Sequence, residues 1–145
     1  MPINNSLKEQ VRRNMVALIS LVVAITSLGY NTWRNEQSEE NRTQRLVAIE
    51  ALLKLGELQQ LVYHNHYDHD TQDKGNPRTG WTLVLTIRDI ATILDAPLPE
   101  ASETLRATWA DHWKKLGDST ESKDAVEDGI EALRGELLAM LKALD

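Results

Sequence analysis

The sequence predicts an all-α protein in which one N-terminal transmembrane helix continues through a stalk into a small bundle of about four helices. Three observations lead to this prediction. A stretch of 20 residues carries no charge, apolar residues recur at helical spacing through most of the remaining chain, and no two strand-like segments exist that could pair in a sheet. The 145 residues suffice for one small domain beside the membrane segment.

The composition excludes several classes of function. Because the chain has no cysteine, disulfides, thiolate zinc sites, iron–sulfur clusters and thiol nucleophiles are ruled out. Its 16 Lys and Arg against 22 Asp and Glu leave a net charge of −6, so no general basic field exists to hold nucleic acid. We expect no nucleic-acid partner, and any chemistry must come from carboxylates, hydroxyls and four histidines.

Residues 14–33 form the predicted transmembrane helix. Twenty helical residues rise ~30 Å, the thickness of the hydrocarbon core of a bilayer. Tyr30 and Trp33 lie at one end of the segment, where amphipathic rings prefer the headgroup layer. Arg13 and Arg34 bound the segment and can extend their charged groups outward. These four residues are the predicted anchors at the membrane interfaces.

The basic tail, residues 1–13, and the apolar stretch behind it also resemble a cleavable signal peptide, with small residues at Ser27 and Gly29. An uncleaved anchor is favoured, because the apolar stretch is long for a signal peptide. Three basic residues closely precede the segment and two closely follow it. By this narrow margin the charge rule predicts a cytoplasmic N-terminus and a periplasmic C-terminal domain.

Four small residues share one stripe of the predicted membrane helix. Ala17, Ser20, Ala24 and Ser27 follow a 3-4-3 spacing, which brings them onto one face. Small side chains allow two helix backbones to approach closely. The stripe therefore predicts self-association or packing on another membrane protein, although small residues are also common in membrane helices without such a contact.

Residues 34–45 form the predicted stalk and residues 46–145 the bundle domain; together they carry 13 basic and 21 acidic residues, a net charge of −8. The stalk contains no Gly or Pro, so it can continue the membrane helix. From residue 46 the pattern is amphipathic and predicts the first helix of the bundle. Its apolar residues form two rows: Leu46, Ile49 and Leu53, and Leu52, Leu55, Leu58 and Val62.

Two stretches, Arg12–Arg42 and Gly75–Trp81, resemble uncharacterised single-pass membrane proteins of proteobacteria. The resemblance covers the anchor, the stalk and part of the domain. It implies a location in the bacterial inner membrane. It supplies no catalytic residue and no activity.

Turn-forming residues are concentrated in residues 64–80, which predicts a long loop. The next segment, from Trp81 to Leu94, alternates partly as a strand would, but a lone strand is not stable, so we predict a helix. It should end at residues 95–99, where Pro97 disfavours a helical residue before it.

Two further helices complete the predicted bundle. The third begins near Pro99 or Glu100, ends at Gly117, and carries His112, which we expect to be half-buried and hydrogen-bonded to a neighbour. Asp118 or Ser119 caps the fourth. The predicted core residues of the third helix are Leu105, Trp109, Trp113 and Leu116, and those of the fourth are Val126, Ile130, Leu133, Leu137, Met140 or Leu141, and Leu144.

The strongest candidate for chemistry is a cluster of imidazoles and carboxylates in the predicted loop, formed by His64, His66, His69, Asp68 and Asp70. These groups are good ligands for zinc, copper or nickel. Their spacing matches no defined metal motif, and Asp73 stands where a calcium loop has its Gly. A solvated polar loop and a pH-responsive contact are the alternative interpretations.

The predicted function is that of a membrane-anchored helical interaction module without catalysis or cofactor. No phosphate loop, nucleophile elbow or paired carboxylates occur in the sequence. The expected partners are the lipid bilayer and another membrane or periplasmic protein, or a second copy of the chain. The alternative is a periplasmic metal or pH sensor that uses His64, His66 and His69, with a divalent transition metal as its ligand.

Overall fold

The structure is a computed structural model that describes residues 4–144, with the side chains of residues 8–144. Its described residues are helical apart from short connections and contain no strand, which confirms the all-α prediction. The helices are α1 (Asn4–Tyr67), α2 (Pro77–Ala91), α3 (Leu98–His112) and α4 (Thr120–Ala143), with one 3-10 turn at Trp113–Lys115. The chain divides into two units, Met1–Glu40 and Asn41–Asp145.

The first unit is the N-terminal part of α1. Every described side chain from Lys8 to Glu40 is exposed. Between Met15 and Leu28 the large apolar side chains keep 56% to 70% of their surface accessible. Thr26 satisfies its hydroxyl within the helix by donating to the Val22 carbonyl at 2.8 Å.

The second unit is a bundle in which α2 and α4 both run antiparallel to the C-terminal part of α1. On the α2 side, Gln44 donates to the carbonyl oxygen of Ile93 at 3.3 Å, and Gly80 lies against Leu61. α3 closes the bundle by packing on both α2 and α4. The second unit therefore has the up-down-up-down arrangement of a four-helix bundle, and the predicted small bundle of about four helices is confirmed.

Two polar contacts fix the register between α1 and α4. The guanidinium of Arg134 donates to the amide oxygen of Gln59 at 2.7 Å, and Arg45 donates to the Leu144 carbonyl at 3.2 Å. Apolar side chains from all four helices fill the space between them. The large side chains with less than 2% exposure are Trp109, Leu55, Leu58, Ile87, Leu98, Leu105, Leu116, Ile130, Leu133, Leu137, Val62 and Val84.

Only one of the two predicted rows on the first bundle helix faces this core. Leu55, Leu58 and Val62 are fully buried, as predicted. Leu46, Ile49 and Leu53 instead face outward, with 61%, 43% and 59% of their surface exposed. Small residues, Ala48 and Ala51, occupy the buried side at that level. α2 and α4 flank the side of α1 that carries the alanines and the buried leucines, so the other row stays uncovered.

The predicted loop over residues 64–80 is wrong at both ends, because α1 continues to Tyr67 and α2 begins at Pro77. His64 and His66 therefore belong to the last turn of a helix. Pro77 suits the start of α2, because its fixed φ matches a helix and its missing N–H has no partner to lose there. Asn76 caps this start by accepting a 2.9 Å hydrogen bond from the backbone N–H of Arg78.

The later helices are confirmed, but two of them end earlier than predicted. α2 ends at Ala91 rather than Leu94, and α3 ends at His112 rather than Gly117 because a 3-10 turn follows it. Residues 81–91 are helical rather than extended, and α3 begins at Leu98, just before the predicted start. Ser119 is the N-cap of α4 and accepts a 3.1 Å hydrogen bond from the Ser122 N–H. The predicted inward residues of α4 are buried from Val126 to Leu137, and Met140 and Leu141 are half-buried.

Candidate functional site

The three histidines of the predicted metal cluster have different surroundings. His64 lies on α1 and its Nδ1 is 2.6 Å from the Oδ2 of Asp68, one helical turn later. His66, also on α1, places its Nδ1 2.6 Å from the carbonyl oxygen of Leu116, just after α3. His69 is an exposed loop residue with a φ of 51°. The structure thus pairs His64 with Asp68 but does not bring the three imidazoles together.

The carboxylate of Asp70 organises the loop between α1 and α2. It accepts hydrogen bonds from the backbone N–H groups of Gln72, Asp73, Lys74 and Gly75, at 3.0, 2.9, 2.8 and 3.4 Å. Bonds from the N–H groups of Asp73 and Gln72 are the main reason that the pKa of Asp70 falls from 3.8 to about 2. Asp70 is therefore a structural anion that holds the loop.

Among the residues described, no group of three or more His, Asp and Glu side chains is arranged to hold a metal ion. The candidate ligands have separate partners, which explains this result. His64 pairs with the Asp68 carboxylate, His66 contacts the Leu116 carbonyl, and Asp70 accepts hydrogen bonds from the loop backbone. Metal binding by these residues stays a prediction from the sequence.

A groove of about 800 Å³ lies beside His64, between α1 and the start of α2. Both acidic residues of its lining have a partner, since Asp68 contacts His64 at 2.6 Å and Glu57 contacts Lys54 at 2.8 Å. The groove is thus a mixed apolar and polar surface with little unpaired charge. Its main lining residues are Leu61, Tyr63, Tyr67, Lys74, Thr79 and Leu83.

Trp109 and Trp113, two of the predicted core residues of the third helix, belong to an aromatic cluster in the bundle. Trp81 meets the edges of Trp109 and Trp113 with ring centroids 6.5 and 6.3 Å apart. Trp109 is fully buried. Its ring lies where the Cβ of any larger residue at position 80 would stand, so only glycine at that position lets α2 and the Trp109 ring pack this closely. The Trp109 side chain therefore serves the core, as predicted.

His112 is half-buried, and its Nδ1 lies 3.1 Å from the hydroxyl oxygen of Ser122. This contact joins the end of α3 to the first turn of α4. The prediction of a half-buried, hydrogen-bonded histidine is confirmed.

All residues predicted to act in the membrane lie on α1 and are exposed: the small stripe Ala17, Ser20, Ala24 and Ser27, and the anchors Arg13, Tyr30, Trp33 and Arg34. The rings of Tyr30 and Trp33 lie 6.1 Å apart, so both can occupy one interfacial layer. Over the part of the chain described, one helix is long and apolar enough to cross a membrane. Its most apolar window has a mean hydropathy of 1.7 and no buried residue.

A second exposed apolar surface, which the sequence reading missed, lies on α1 within the bundle. This outward row consists of Leu46, Ile49, Leu53, Tyr63 and Tyr67, which are 41% to 63% exposed. A signal for it exists in the sequence. The helix carries two apolar rows, and a helix at the edge of a small bundle buries only one face.

Comparison with known proteins finds no match to this chain, whether among family models, curated proteins or solved structures.

Proposed function

We propose that this chain is a single-pass protein of the bacterial inner membrane whose helical bundle binds another protein or a second copy of itself. The observation that supports the proposal is the exposure of every large apolar side chain between Met15 and Leu28. Such a surface is costly in water, where exposed apolar area disfavours the state by ~25 cal/mol per Å². In a bilayer the same side chains are solvated by lipid.

The energetics favour insertion. Leu, Ile and Val each contribute about −0.3 to −0.6 kcal/mol at the centre of a membrane helix. The backbone of this segment is fully paired within α1, and the Thr26 hydroxyl bonds back to the helix. Both features suit a span, since an unpaired polar group in hydrocarbon costs several kcal/mol, of order ~4–8 for an amide or hydroxyl.

The bundle contributes a surface for binding. Its outward row exposes five large apolar or aromatic side chains on one helix. Contiguous exposed apolar side chains mark interaction sites more often than isolated ones. The proposed role is therefore that of an accessory or scaffold protein. The basic residues that flank the segment favour an N-terminus in the cytoplasm and a bundle in the periplasm.

Membrane integration is tested by fractionation of cells that express the full chain. We expect it to sediment with membranes, to resist alkaline carbonate, and to dissolve only in detergent. Changing Val22 and Val23 to Arg should release it, since each charge at the centre of a span costs ~2.5–3.5 kcal/mol. The matched double change of Gln37 and Ser38 to Arg, outside the segment, should not.

Two outcomes would overturn parts of this proposal. Intact chain in the aqueous fraction without detergent would exclude the anchor. Loss of the residues up to Gly29 from membrane-free protein, seen by mass spectrometry, would show a cleaved signal peptide instead. For orientation, alkaline phosphatase fused after the bundle should be active, and activity of a cytoplasmic reporter at the same point would reverse the assignment.

A further inference from the structure

We infer that the outward row of α1 is the surface through which two copies of this chain associate, with their α1 helices parallel. The inference rests on the proposed function, because it names the partner that the bundle binds. Leu46, Ile49, Leu53, Tyr63 and Tyr67 are 61%, 43%, 59%, 41% and 63% exposed. Leu46, Ile49 and Leu53 lie on the side of α1 opposite to the core, where the bundle leaves them uncovered. Tyr63 and Tyr67 continue the row beside the groove at α2, with Lys123 of α4 over the Tyr67 ring.

The spacing of the row is that of a two-stranded coiled coil. Steps of three and four residues lead from position 46 through 49, 53, 56, 60 and 63 to 67, so all seven are alternate a and d positions of heptads. The outward row fills five of them, and Gly56 and Gln60 fill the others. Around Gly56 nothing lies within 4 Å of a Cβ built there, so a side chain of the facing helix can approach. An identical helix presents the knobs and holes that this pattern requires.

The flanking charges favour a parallel second copy. In a parallel pair, a residue just before an a position faces the residue five places later on the other helix. That relation brings Arg45 of each copy to Glu50 of the other, which gives two attractive pairs by symmetry. In an antiparallel pair the positions that follow a d position face one another instead, which would bring the acidic Glu50 and Glu57 of the two copies together.

The proposed membrane anchor favours the same arrangement. Two copies whose N-terminal segments insert in the same direction into one membrane have their bundles on the same side of it. Confinement to a membrane also raises the effective concentration of one copy around another, so that a row of modest size can hold two copies together.

Cysteine crosslinking tests the inference directly, because the chain has no cysteine of its own. We would introduce Ile49→Cys and Leu53→Cys singly into the full chain and oxidise native membranes. In a parallel pair each position faces itself, and a disulfide needs the two Cβ atoms at about 3.5–4.5 Å. We expect covalent dimers at both positions. The control Ala107→Cys, at an exposed position on α3, should give no more dimer than random collision produces.

A charge in the row should abolish the crosslink. Leu53→Asp added to Ile49→Cys should reduce the dimer to the level of the Ala107→Cys control. Ile93→Asp added to Ile49→Cys is the matched control, because Ile93 is 62% exposed and Leu53 59%. It should leave the dimer unchanged. Far-UV circular dichroism checks that both variants stay folded, as expected for exposed positions.

The results separate this inference from the proposed function. Chain that resists carbonate extraction but gives no dimer at position 49 or 53 above the control would overturn the second copy and leave the anchor intact. Chain found in the aqueous fraction would overturn the anchor, and the same oxidation in solution would still test the row. An adduct with the mass of a different protein would show another occupant and overturn the inference.

Discussion

The side-chain amide of Asn65 donates a 2.8 Å hydrogen bond to the carbonyl oxygen of Gly75 and thereby ties the last turn of α1 to the start of α2. Asn65 is only 2% exposed. A Cβ at Gly75 would overlap the backbone of Asn65 and Asp70, so the two segments touch without an intervening side chain. This contact closes the hairpin between the first two helices of the bundle.

Replacing Asn65 by Ala should lower the free energy of unfolding by ~1–3 kcal/mol, because the buried Gly75 carbonyl loses its donor. Urea unfolding in detergent, followed by far-UV circular dichroism, measures the change. Asn41→Ala, at an exposed position of the same helix, is the control and should alter the value by less than ~0.5 kcal/mol. Equal effects at both positions would show that the contact contributes nothing.

Two glycines in helices should respond oppositely to the same substitution. Gly80→Ala should lower the free energy of unfolding by ~1–3 kcal/mol, because its new methyl group would overlap the ring of Trp109. Gly135→Ala has open space around it and should raise the value by ~0.5–1 kcal/mol through better helix propensity. Thermal unfolding gives both values. A stabilising Gly80→Ala would contradict the packing described here.

The Asp70 carboxylate should make stability depend on pH. Its pKa is lowered from 3.8 to about 2 by hydrogen bonds from the backbone. The ionised form therefore stabilises the folded state above about pH 4, and the contribution disappears as the pH falls toward 2. Asp70→Asn should melt at a lower temperature than the natural chain at pH 7, and the two melting temperatures should converge as the pH approaches 2.

The control for this pH experiment is Asp73→Asn, which removes an exposed carboxylate from the same loop. If the difference in melting temperature between the natural chain and Asp70→Asn stays constant down to pH 2, the charge of Asp70 does not cause the loss of stability.

Metal content tests the sequence hypothesis about His64, His66 and His69. Their separate partners lead us to expect less than one equivalent of zinc on detergent-purified protein after incubation with the metal and dialysis. The triple change to Ala should then leave the metal content unchanged. One equivalent in the natural chain, lost in the triple variant, would establish the metal sensor and overturn this expectation.

The sequence was sufficient for the helices that rest on local chemistry. Ser119 as a cap and the helical rather than extended state of Trp81 to Ile87 follow from propensities and from the lack of a pairing strand, and both are confirmed. Local signals failed at Asn65. Asparagine indicates a turn in isolation, whereas here a partner ten residues later holds it in a helix.

The outward row shows a different limit. The apolar residues of the first bundle helix predict two rows, but periodicity alone does not tell which row the other helices cover. The small side chains of Ala48 and Ala51 decide this, since they line the buried side and let neighbouring helices approach. The histidine cluster shows a related limit: proximity in sequence does not set the direction of each side chain, and His66 contacts the Leu116 carbonyl.

The placement of the four tryptophans supplies the molecule with two separate optical probes. Trp81, Trp109 and Trp113 meet edge to face, so their coupled transitions should give a circular dichroism signal that vanishes when the helices separate. Trp33 lies at the end of the apolar segment, where its emission wavelength reports the polarity around it. The circular dichroism signal thus follows unfolding of the bundle. While that signal stays constant, a shift in emission follows the transfer of Trp33 from detergent to vesicles in the same unlabelled sample.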